Sequence, residues 1–264
     1  MITSGLPPQI QTVEVSPAKA LPSTLSIAAP EMLVAQAIAP DNSTNTQVTV
    51  QGNRLDISGG SRSADGVNLF HSFIRFGLDG NQVANFQVTP ELQNVLSRVT
   101  GGDASYINGL IQMTGGNANL YLINPAGILF GPNVQLNLPA AFAATTATGV
   151  GFGNQLFQSA GSNDYARLLG NPDSWIWRGN AGAIFNSGNL AVKPGQDLTL
   201  LGGTVVSTGS LSAPGGRLTV VAVPGSNRLR LSPAGGVLGL ELLPRTGSPL
   251  FSPLTLAQLV TGGI

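Results

Sequence analysis

The chain has 264 residues, of which 42% are hydrophobic and only 9% are charged, with 12 basic side chains balanced by 12 acidic ones. This length and apolar content fit one large domain with a substantial core. The sparse, balanced charge excludes the basic surface that nucleic acid or anionic lipid requires. With 35 glycines, 18 prolines and no cysteine, the composition disfavours long helices and disulfides and favours many turns.

The N-terminal stretch 1–37 reads as a leader. Lys19 precedes a moderately apolar stretch of small residues from 20 to 34, and Ala35-Gln36-Ala37 fits the small-x-small pattern of a signal-peptide cleavage site. Two prolines and a glutamate interrupt the stretch, so a disordered proline-rich leader is the alternative. No run reaches the roughly 18 apolar residues of a membrane span, which predicts no stable membrane insertion.

From Asp41 onward, short β-prone runs alternate with glycine-containing turns. The first four runs lie at 48–50, 55–57, 67–76 and 83–88, and their composition predicts strands. Because an open sheet edge invites edge-to-edge pairing, we expect the strands before Ser63 to cap one end of the structure.

Two ordered motifs follow in the middle of the chain, where apolar runs and turn residues alternate most regularly. The first is Asn117-Ala118-Asn119-Leu120, and the second is Asn124-Pro125-Ala126-Gly127-Ile128. Their spacing predicts successive strands that turn corners.

The residue types of the second motif suit a tight corner. Pro125 fixes its own φ, Gly127 can adopt the left-handed conformation, and Asn124 can bond its side chain to the turn backbone. Asn117 and Asn119 are expected to be turn and ladder residues rather than contact residues. The motifs are therefore predicted to have a structural role first, as the residues that form turns and ladders of the fold.

The strand pattern breaks between 142 and 184. Residues 164–169 are expected to form one helical turn with Asn163 as N-cap, and Trp175-Ile176-Trp177 reads as a strand. We interpret this region as an excursion that packs against the flank of the repeats. The two tryptophans are expected to cover a sheet face rather than to form a ligand platform.

The last third of the chain contains an internal repeat. Gly188 and Leu190 recur 21 positions later as Gly209 and Leu211, and the stretch 198–200 recurs 20 positions later. A period of this length with two or three short strands per copy is typical of one coil of a β-helix. One coil alone cannot offset the entropy of ordering its residues, so the coils must stack.

Several of these elements, in this order, resemble the N-terminal domain of filamentous haemagglutinin-type exoproteins, which are exported by two-partner secretion. The resemblance runs from about 38 to 223 and is to a cyanobacterial-like variant of that domain. The matching elements are Leu69-Phe70-His71-Ser72-Phe73 with Phe76, the stretch from Leu96 to Gly102, Ile107-Asn108-Gly109, the two asparagine motifs, and the stretch from Gly182 to Leu190.

The resemblance implies an all-β fold: a right-handed parallel β-helix with an N-terminal β cap and extra-helical β elements over residues 38–245. Residues 246–264 would be a tail or the start of further repeats. The family pattern has asparagine where this chain has Ala126, so that side chain is not indispensable to the fold. The residues that the resemblance implies for secretion are Asn117, Asn119, Leu120, Asn124, Pro125, Gly127 and Ile128.

The resemblance also implies a role and a partner. Such a domain is recognised by an outer-membrane β-barrel transporter of the Omp85 type with periplasmic POTRA modules, and it nucleates β-helix folding at the cell surface. The protein would be secreted, or held on the surface of a Gram-negative-type bacterium, via Sec and the periplasm. An adhesin that binds surface glycans, host or matrix is the alternative.

A β-helical polysaccharide lyase or hydrolase is the less favoured alternative. Asp56, Asp79 and Asp103 recur at intervals of 23 and 24 positions and would form an acid–base site if they stacked on successive coils. However, the last two sit in predicted turns, where Asp bonds its own backbone. His71 is the only histidine and is expected to be structural, so the sequence predicts no catalytic residue, cofactor or metal site.

Overall fold

A computed structural model describes residues 38–179, 181–223, 225–231 and 237–242. The predicted leader (1–37) and tail (246–264) lie outside these residues. Over the described part the chain forms 24 β-strands and one 3₁₀ helix, η1. In chain order these are β1 (Ala39–Pro40), β2 (Thr46–Gln51), β3 (Arg54–Gly59), β4 (Ser61–Arg62), β5 (Asn68–Arg75), β6 (Val83–Gln87), β7 (Asn94–Val99), β8 (Ser105–Ile107), β9 (Leu110–Thr114), β10 (Asn119–Ile123), β11 (Ile128–Phe130), β12 (Gln135–Asn137), β13 (Phe142–Thr145), β14 (Gly149–Phe152), β15 (Gln155–Gln158), η1 (Tyr165–Arg167), β16 (Ser174–Ile176), β17 (Ala183–Asn186), β18 (Asn189–Ala191), β19 (Leu198–Gly202), β20 (Thr204–Ser207), β21 (Ser210–Ser212), β22 (Leu218–Ala222), β23 (Asn227–Leu231) and β24 (Val237–Leu242).

The strands wind into a parallel β-solenoid with three faces. Face A is the parallel series β5, β7, β10, β13, β19 and β22; face C is β8, β11, β17 and β20. Face B is β3, β6, β9 and β12, beyond which β18 lies next to β12 and pairs with β21. The chain visits the faces in turn, and the six strands of face A mark about six coils. The predicted all-β solenoid is therefore confirmed.

The register between coils follows the predicted repeat in the second half of the chain. Leu190 pairs with Leu211 and Leu198 pairs with Leu218, which reproduces the two offsets expected from the sequence. The first coils are longer, because Asn68 pairs with Asn94, 26 positions later. Parallel strands keep inward side chains aligned whatever the length of the turn between them, so the period of the early coils is less visible in the sequence.

The N-terminal strands cover the outer edge of the first coil, as predicted. β1 and β4 both pair antiparallel with β5, and β2 pairs antiparallel with β3. β1 to β4 all precede Ser63, as the prediction requires. By pairing with β5 and β3, the N-terminal strands occupy edges to which another chain could otherwise add a strand.

The core lies inside the coils and is built from inward side chains of the three faces. Phe73 contacts Phe76 edge to face, with ring centroids 5.3 Å apart, and Phe130 contacts Phe142 in the same way at 6.2 Å. All four rings are at most 1% exposed. Aromatic side chains packed in this way contribute a large part of the apolar burial in the core.

An additional antiparallel sheet, in the order β15-β14-β16-β23-β24, covers the outer side of face A. Trp175 and Trp177 are 5% and 0% exposed and join a second apolar cluster with the outward side chains Phe70, Leu96 and Ile123 of face A. The expectation that the tryptophans cover a sheet face is confirmed. The excursion between 142 and 184 is the part of the chain that starts this sheet.

The predicted helical turn is present but shorter and differently capped. η1 spans Tyr165–Arg167 with Asp164 at its N-cap position, and no side chain caps it. Asn163 instead accepts from the amide of Gln158 at 2.7 Å and donates to its carbonyl at 3.0 Å. The expectation that Asn163 is the cap was wrong, because its amide already closes the end of β15.

Candidate functional site

The second motif forms a β-turn between β10 and β11. The amide of Gly127 donates to the carbonyl of Asn124 at 3.1 Å, and the amide of Ala126 donates to Oδ1 of Asn124 at 3.0 Å. Pro125 occupies the second position, where its fixed φ suits the turn. The hydrogen bond from the turn backbone to the Asn124 side chain and the position of Pro125 are thus as predicted.

The turn is held between the coils on either side of it. Nδ2 of Asn124 donates to the carbonyl of Asp103 at 2.9 Å and to Oγ of Ser105 at 3.0 Å in the preceding coil. On the other side, the amide of Gly182 donates to the carbonyl of Pro125 at 3.0 Å. Asn124 is 1% exposed, so its whole side chain is used inside the fold.

Glycine is required at the end of this turn for two reasons. Gly127 has φ of +128°, a conformation that side-chain-bearing residues rarely adopt. A Cβ at this position would also lie 3.1 Å from the carbonyl oxygen of Ala183 in the next coil. Ile128 follows directly, is fully buried, and pairs with Ser105 on one side and Ile184 on the other.

The first motif places Asn119 in a ladder of three stacked asparagines on face A. Nδ2 of Asn119 donates to Oδ1 of Asn94 at 3.1 Å, and Nδ2 of Asn94 donates to Oδ1 of Asn68 at 2.9 Å. The amide of Ala141 in the following coil donates to Oδ1 of Asn119 at 3.2 Å. The ladder runs through four coils and confirms the ladder role expected of Asn119.

Leu120 and Asn117, the other two predicted residues of the first motif, differ in their exposure to solvent. Leu120 is 1% exposed and belongs to the core. Asn117 is exposed, and its side chain makes no hydrogen bond to the described part of the chain. The two motifs lie at opposite ends of β10, and of the seven predicted residues only Asn117 is exposed in the folded coil.

A groove of about 270 Å³ lies beside the corner. Pro125 forms part of its wall, and Thr148, Ile176 and the exposed Arg178 of the additional sheet line it. Because strands β14 to β16 close one side, the groove exists only after the excursion has folded onto face A.

One buried cation, Arg98, was not predicted from the sequence. Arg98 is 1% exposed and donates to the carbonyls of Gln158 and Gly161 at 2.9 and 2.8 Å. Its Cζ lies 5.8 Å from the ring centroid of Phe157. The available signal was an arginine between the apolar residues Leu96 and Val99 of β7, since a charge at such a position must find partners when it is buried.

The acidic residues considered for an enzyme do not stack. Asp56 pairs across face B with Asn85, which pairs with Gln112, whereas Asp79 and Asp103 lie in turns outside the strands. The hydrogen bond from Asn85 lowers the pKa of Asp56, burial opposes it, and Arg54 adds to the lowering. Asp56 is therefore a charged structural residue.

His71 lies inside the first coil beside Phe73 and Phe86. It is fully buried, its Nδ1 is 3.0 Å from Oγ1 of Thr46, and burial lowers its pKa to about 3. Its ring is therefore neutral at physiological pH, in agreement with the structural role expected of it.

Two further features concern metals and membranes. Among the described residues, no three His, Cys, Asp or Glu side chains come together as metal ligands would. In the same part of the chain, no helix has the length and hydropathy needed to span a membrane.

One known protein family matches the residues that form the solenoid, its cap and the additional sheet. The family described as TPS secretion domain matches residues 36–243, well over half of the chain. The chain belongs to the TPS secretion domain family. It is thus the secretion domain of a two-partner secretion exoprotein, as the motifs indicated, and since this family consists of secretion domains, the prediction that the chain is not an enzyme is confirmed.

The HMW1 structure supports the fold of this TPS domain, and a second solved structure is similar at a lower level. The HMW1 secretion domain from Haemophilus influenzae is 22% identical with a TM-score of 0.58, over 80% of this chain and 50% of that chain. The filamentous hemagglutinin secretion domain is 16% identical with a TM-score of 0.48, over 81% of this chain and 71% of that chain. The TPS domain thus spans half the length of the HMW1 structure. No curated protein matches the chain, and the comparisons do not support the narrower cyanobacterial assignment.

Proposed function

We propose that this TPS domain is the address that an outer-membrane β-barrel transporter of the Omp85 type reads through its periplasmic POTRA modules. The chain reaches the periplasm via Sec, passes through the transporter unfolded, and nucleates its β-helix at the cell surface. The exoprotein is then secreted or stays on the surface of a Gram-negative-type bacterium.

The observation that carries this proposal is how little of the motifs remains accessible after folding. Asn124 and Ile128 are at most 1% exposed, and the side-chain hydrogen bonds of Asn124 all go to its own turn and to the preceding coil. A partner cannot grip such groups on the folded domain. Recognition that depends on them therefore takes place while the segment is extended, when a strand can pair with a strand of the transporter.

Folding of the same residues at the cell surface gives their export through the transporter a direction. Each coil that emerges adds a ladder of backbone bonds and a layer of side chains to the one before it, and stability in a solenoid grows with each neighbour interface. The corner at Asn124 is bonded both to the preceding coil and, through Pro125, to the following one. Closing this corner therefore opposes backward sliding without any nucleotide.

A secretion assay with the transporter present tests this mechanism on a matched pair of asparagines. Asn124→Ala removes the corner bonds and is expected to lower secretion at least severalfold, whereas Asn154→Ala changes an exposed side chain outside the motifs and is expected to leave secretion near the parent level. Gly127→Ala, which strains the turn, should behave like Asn124→Ala. Full secretion of both corner variants would contradict this mechanism, because the bonds of the corner would then not be needed for export.

A binding assay tests the order of events. The purified periplasmic region of the transporter should retain the domain freshly diluted from denaturant more strongly than the folded domain. Equal retention of the two forms would contradict recognition before folding. Binding of surface glycans or matrix stays the alternative, and no feature of the described residues favours it.

A further inference from the structure

The groove beside the corner lies on the outer side of the additional sheet. Val150, Phe157 and Trp175 of this sheet face its inner apolar cluster, and side chains alternate between the two faces along a strand. The apolar part of the groove lining consists of Pro125, Leu156, Ala160 and Ile176. The groove therefore offers an apolar surface on the side of the sheet that points away from the solenoid.

A glycine keeps the groove open. Gly149 pairs with Gln158 on one side and with Ile176 on the other, so its missing side chain leaves a gap in the outward row that these three residues form. A Cβ on Gly149 would lie 2.9 Å from Cδ1 of Leu156. A larger residue at this position would therefore fill the groove or displace the leucine that forms its wall.

Two hydrogen-bond donors of the groove are free, although most of its polar groups have partners. The hydroxyl of Thr148 donates to the carbonyl of Ile176 at 3.0 Å, and that of Ser159 donates to the carbonyl of Thr148 at 2.9 Å. The side chains of Arg178 and Gln158 are exposed and bond to no other residue in the described part of the chain. Because no acidic side chain is among the described residues that line the groove, a guanidinium and an amide await an acceptor from outside.

The size of the groove and the adjacent strand edge favour a peptide as the ligand. A volume of about 270 Å³ holds one large side chain and is smaller than the pockets that enclose a whole small molecule. β15 is an edge strand, and since the amide of Ser159 donates to the carbonyl of Thr148, the backbone groups of Gln158 and Leu156 point away from β14. Asn163 occupies those of Gln158. Those of Leu156 have no partner among the described residues and can pair with an extended chain.

We propose that the groove binds a peptide segment of a partner protein in which an acidic residue adjoins a large apolar side chain. The apolar side chain lies over Gly149, against Leu156 and Ile176. The carboxylate accepts hydrogen bonds from the guanidinium of Arg178 and the side-chain amide of Gln158, and bonds between charged groups are the stronger ones. Because the groove forms only when the excursion has folded onto face A, this partner meets the domain after folding, independently of any reading of the unfolded motifs.

NMR titration of the isotope-labelled full chain with short peptides tests the proposal. The probes are two blocked hexapeptides, one with Leu-Glu and one with Glu-Leu at the centre, each flanked by serine and glycine. At least one of them should shift the amide signals of Gly149, Leu156 and Gln158 in a saturable way. The same peptide with glutamine in place of glutamate should bind at least about tenfold more weakly, because it lacks the charge.

Variants of two exposed arginines separate binding in the groove from general attraction. Arg178→Gln removes the cation from the rim of the groove and should weaken peptide binding at least about tenfold. Arg167→Gln changes an exposed arginine of η1 that does not line the groove, and it should bind the peptide as the parent chain does. Gly149→Ala fills the gap and should also weaken binding. Since Arg178 is exposed and has no partner among the described residues, its replacement leaves the fold intact.

Four results would overturn the proposal. Binding of neither peptide would show that the groove does not accept this chemistry, and equal affinity of the glutamine peptide would show that the carboxylate is not recognised. Unchanged affinity in Arg178→Gln would place the peptide elsewhere on the domain. Equal or tighter binding of isocaproate, which has the apolar tail and the carboxylate but no peptide backbone, would assign the groove to small carboxylic acids instead.

Discussion

Arg98 and Asp41 are joined through two serine hydroxyls. Nε of Arg98 donates to Oγ of Ser72 at 2.7 Å, and that hydroxyl donates to Oδ2 of Asp41 at 2.6 Å. Nη2 of Arg98 donates to Oγ of Ser43 at 2.9 Å, whose hydroxyl donates to Oδ1 of Asp41 at 2.7 Å. These four hydrogen bonds form a relay, which ties the N-terminal segment that carries Asp41 and Ser43 to the first two coils.

This relay offsets the cost of burying the guanidinium. Although burial raises the pKa of Asp41, the hydrogen bonds from Ser72, Ser43 and Thr100 outweigh it and hold that pKa below its ordinary value. The carboxylate is thus charged at neutral pH. Because Arg98 also donates to the carbonyls of Gln158 in the additional sheet and of Gly161 in the loop that follows β15, one side chain joins cap, coils and outer layer.

Arg98→Lys should destabilise the domain strongly although it keeps the charge. A lysine is a point charge on a flexible stem and cannot donate to partners in all the directions that the planar guanidinium reaches. We expect the free energy of unfolding to fall by about 3 kcal/mol, seen as a lower urea midpoint. The exposed Arg75→Lys should change it by less than about 0.5 kcal/mol. Equal midpoints for the two variants would show that the relay contributes nothing.

A double-mutant cycle should reveal the coupling of Asp41 with Arg98. Asp41→Asn leaves the buried guanidinium of Arg98 without its counterpart, and Arg98→Met leaves the half-buried carboxylate of Asp41 without its own, while the double variant removes both charges. We expect the double variant to be at least about 1 kcal/mol more stable than the sum of the single losses predicts. The same cycle with Arg75→Gln in place of Arg98→Met should give a coupling near zero. Additive losses in the first cycle would rule out the relay.

The second half of the solenoid was predictable because its signals are local. Gly188 and Gly209 mark equivalent corners, and Leu198 and Leu218 mark equivalent inward positions, so a fixed spacing exposed the register directly. In the first half, 26 positions separate Asn68 from Asn94 and 25 separate Asn94 from Asn119, but few other residue identities recur at these spacings, so the sequence hides the period. There the family resemblance carried the prediction of the fold.

The interactions that fix the cap were not predictable from the sequence. Ser43 meets Arg98, and Asp41 meets Thr100, across more than fifty positions of the chain in each case, and no local pattern encodes such a meeting. For the same reason, Asn163 was predicted to cap a helix, although both its side-chain oxygen and its side-chain nitrogen bond to the backbone of Gln158 at the end of β15. Local rules identify which residues need partners, and the tertiary structure decides which partners they find.

The asparagine ladder should contribute to stability through its middle member. Asn94 is fully buried, donates to Asn68 and Asn171, and accepts from Asn119. Asn94→Ala leaves these groups without partners, and we expect a loss of about 2 to 4 kcal/mol in the free energy of unfolding. Asn117→Ala should change it by less than about 0.5 kcal/mol. A similar urea midpoint for both variants would contradict the ladder's role.

The buried His71 should make the stability of the domain depend on pH in a mildly acidic range. Its pKa is about 3 in the folded chain, because burial disfavours the charged ring, against an ordinary value of 6.5. Between these values the unfolded chain binds a proton that the folded chain does not. Stability contributed by the neutral ring is thus fully present above pH 6.5 and falls as the pH drops toward 3.

We expect the free energy of unfolding to fall by up to about 1.4 kcal/mol per pH unit just below pH 6. Urea unfolding between pH 7 and pH 5 isolates this effect, because the stability that Asp41 and Glu91 contribute through their lowered pKa is lost only as the pH falls through their ordinary values of 3.8 and 4.5. His71→Gln should flatten the dependence in this range, and Glu91→Gln should leave it as steep as in the parent chain. A parent chain whose stability is constant from pH 7 to pH 5 would show that the ring can be protonated without unfolding, and hence that it is accessible to water.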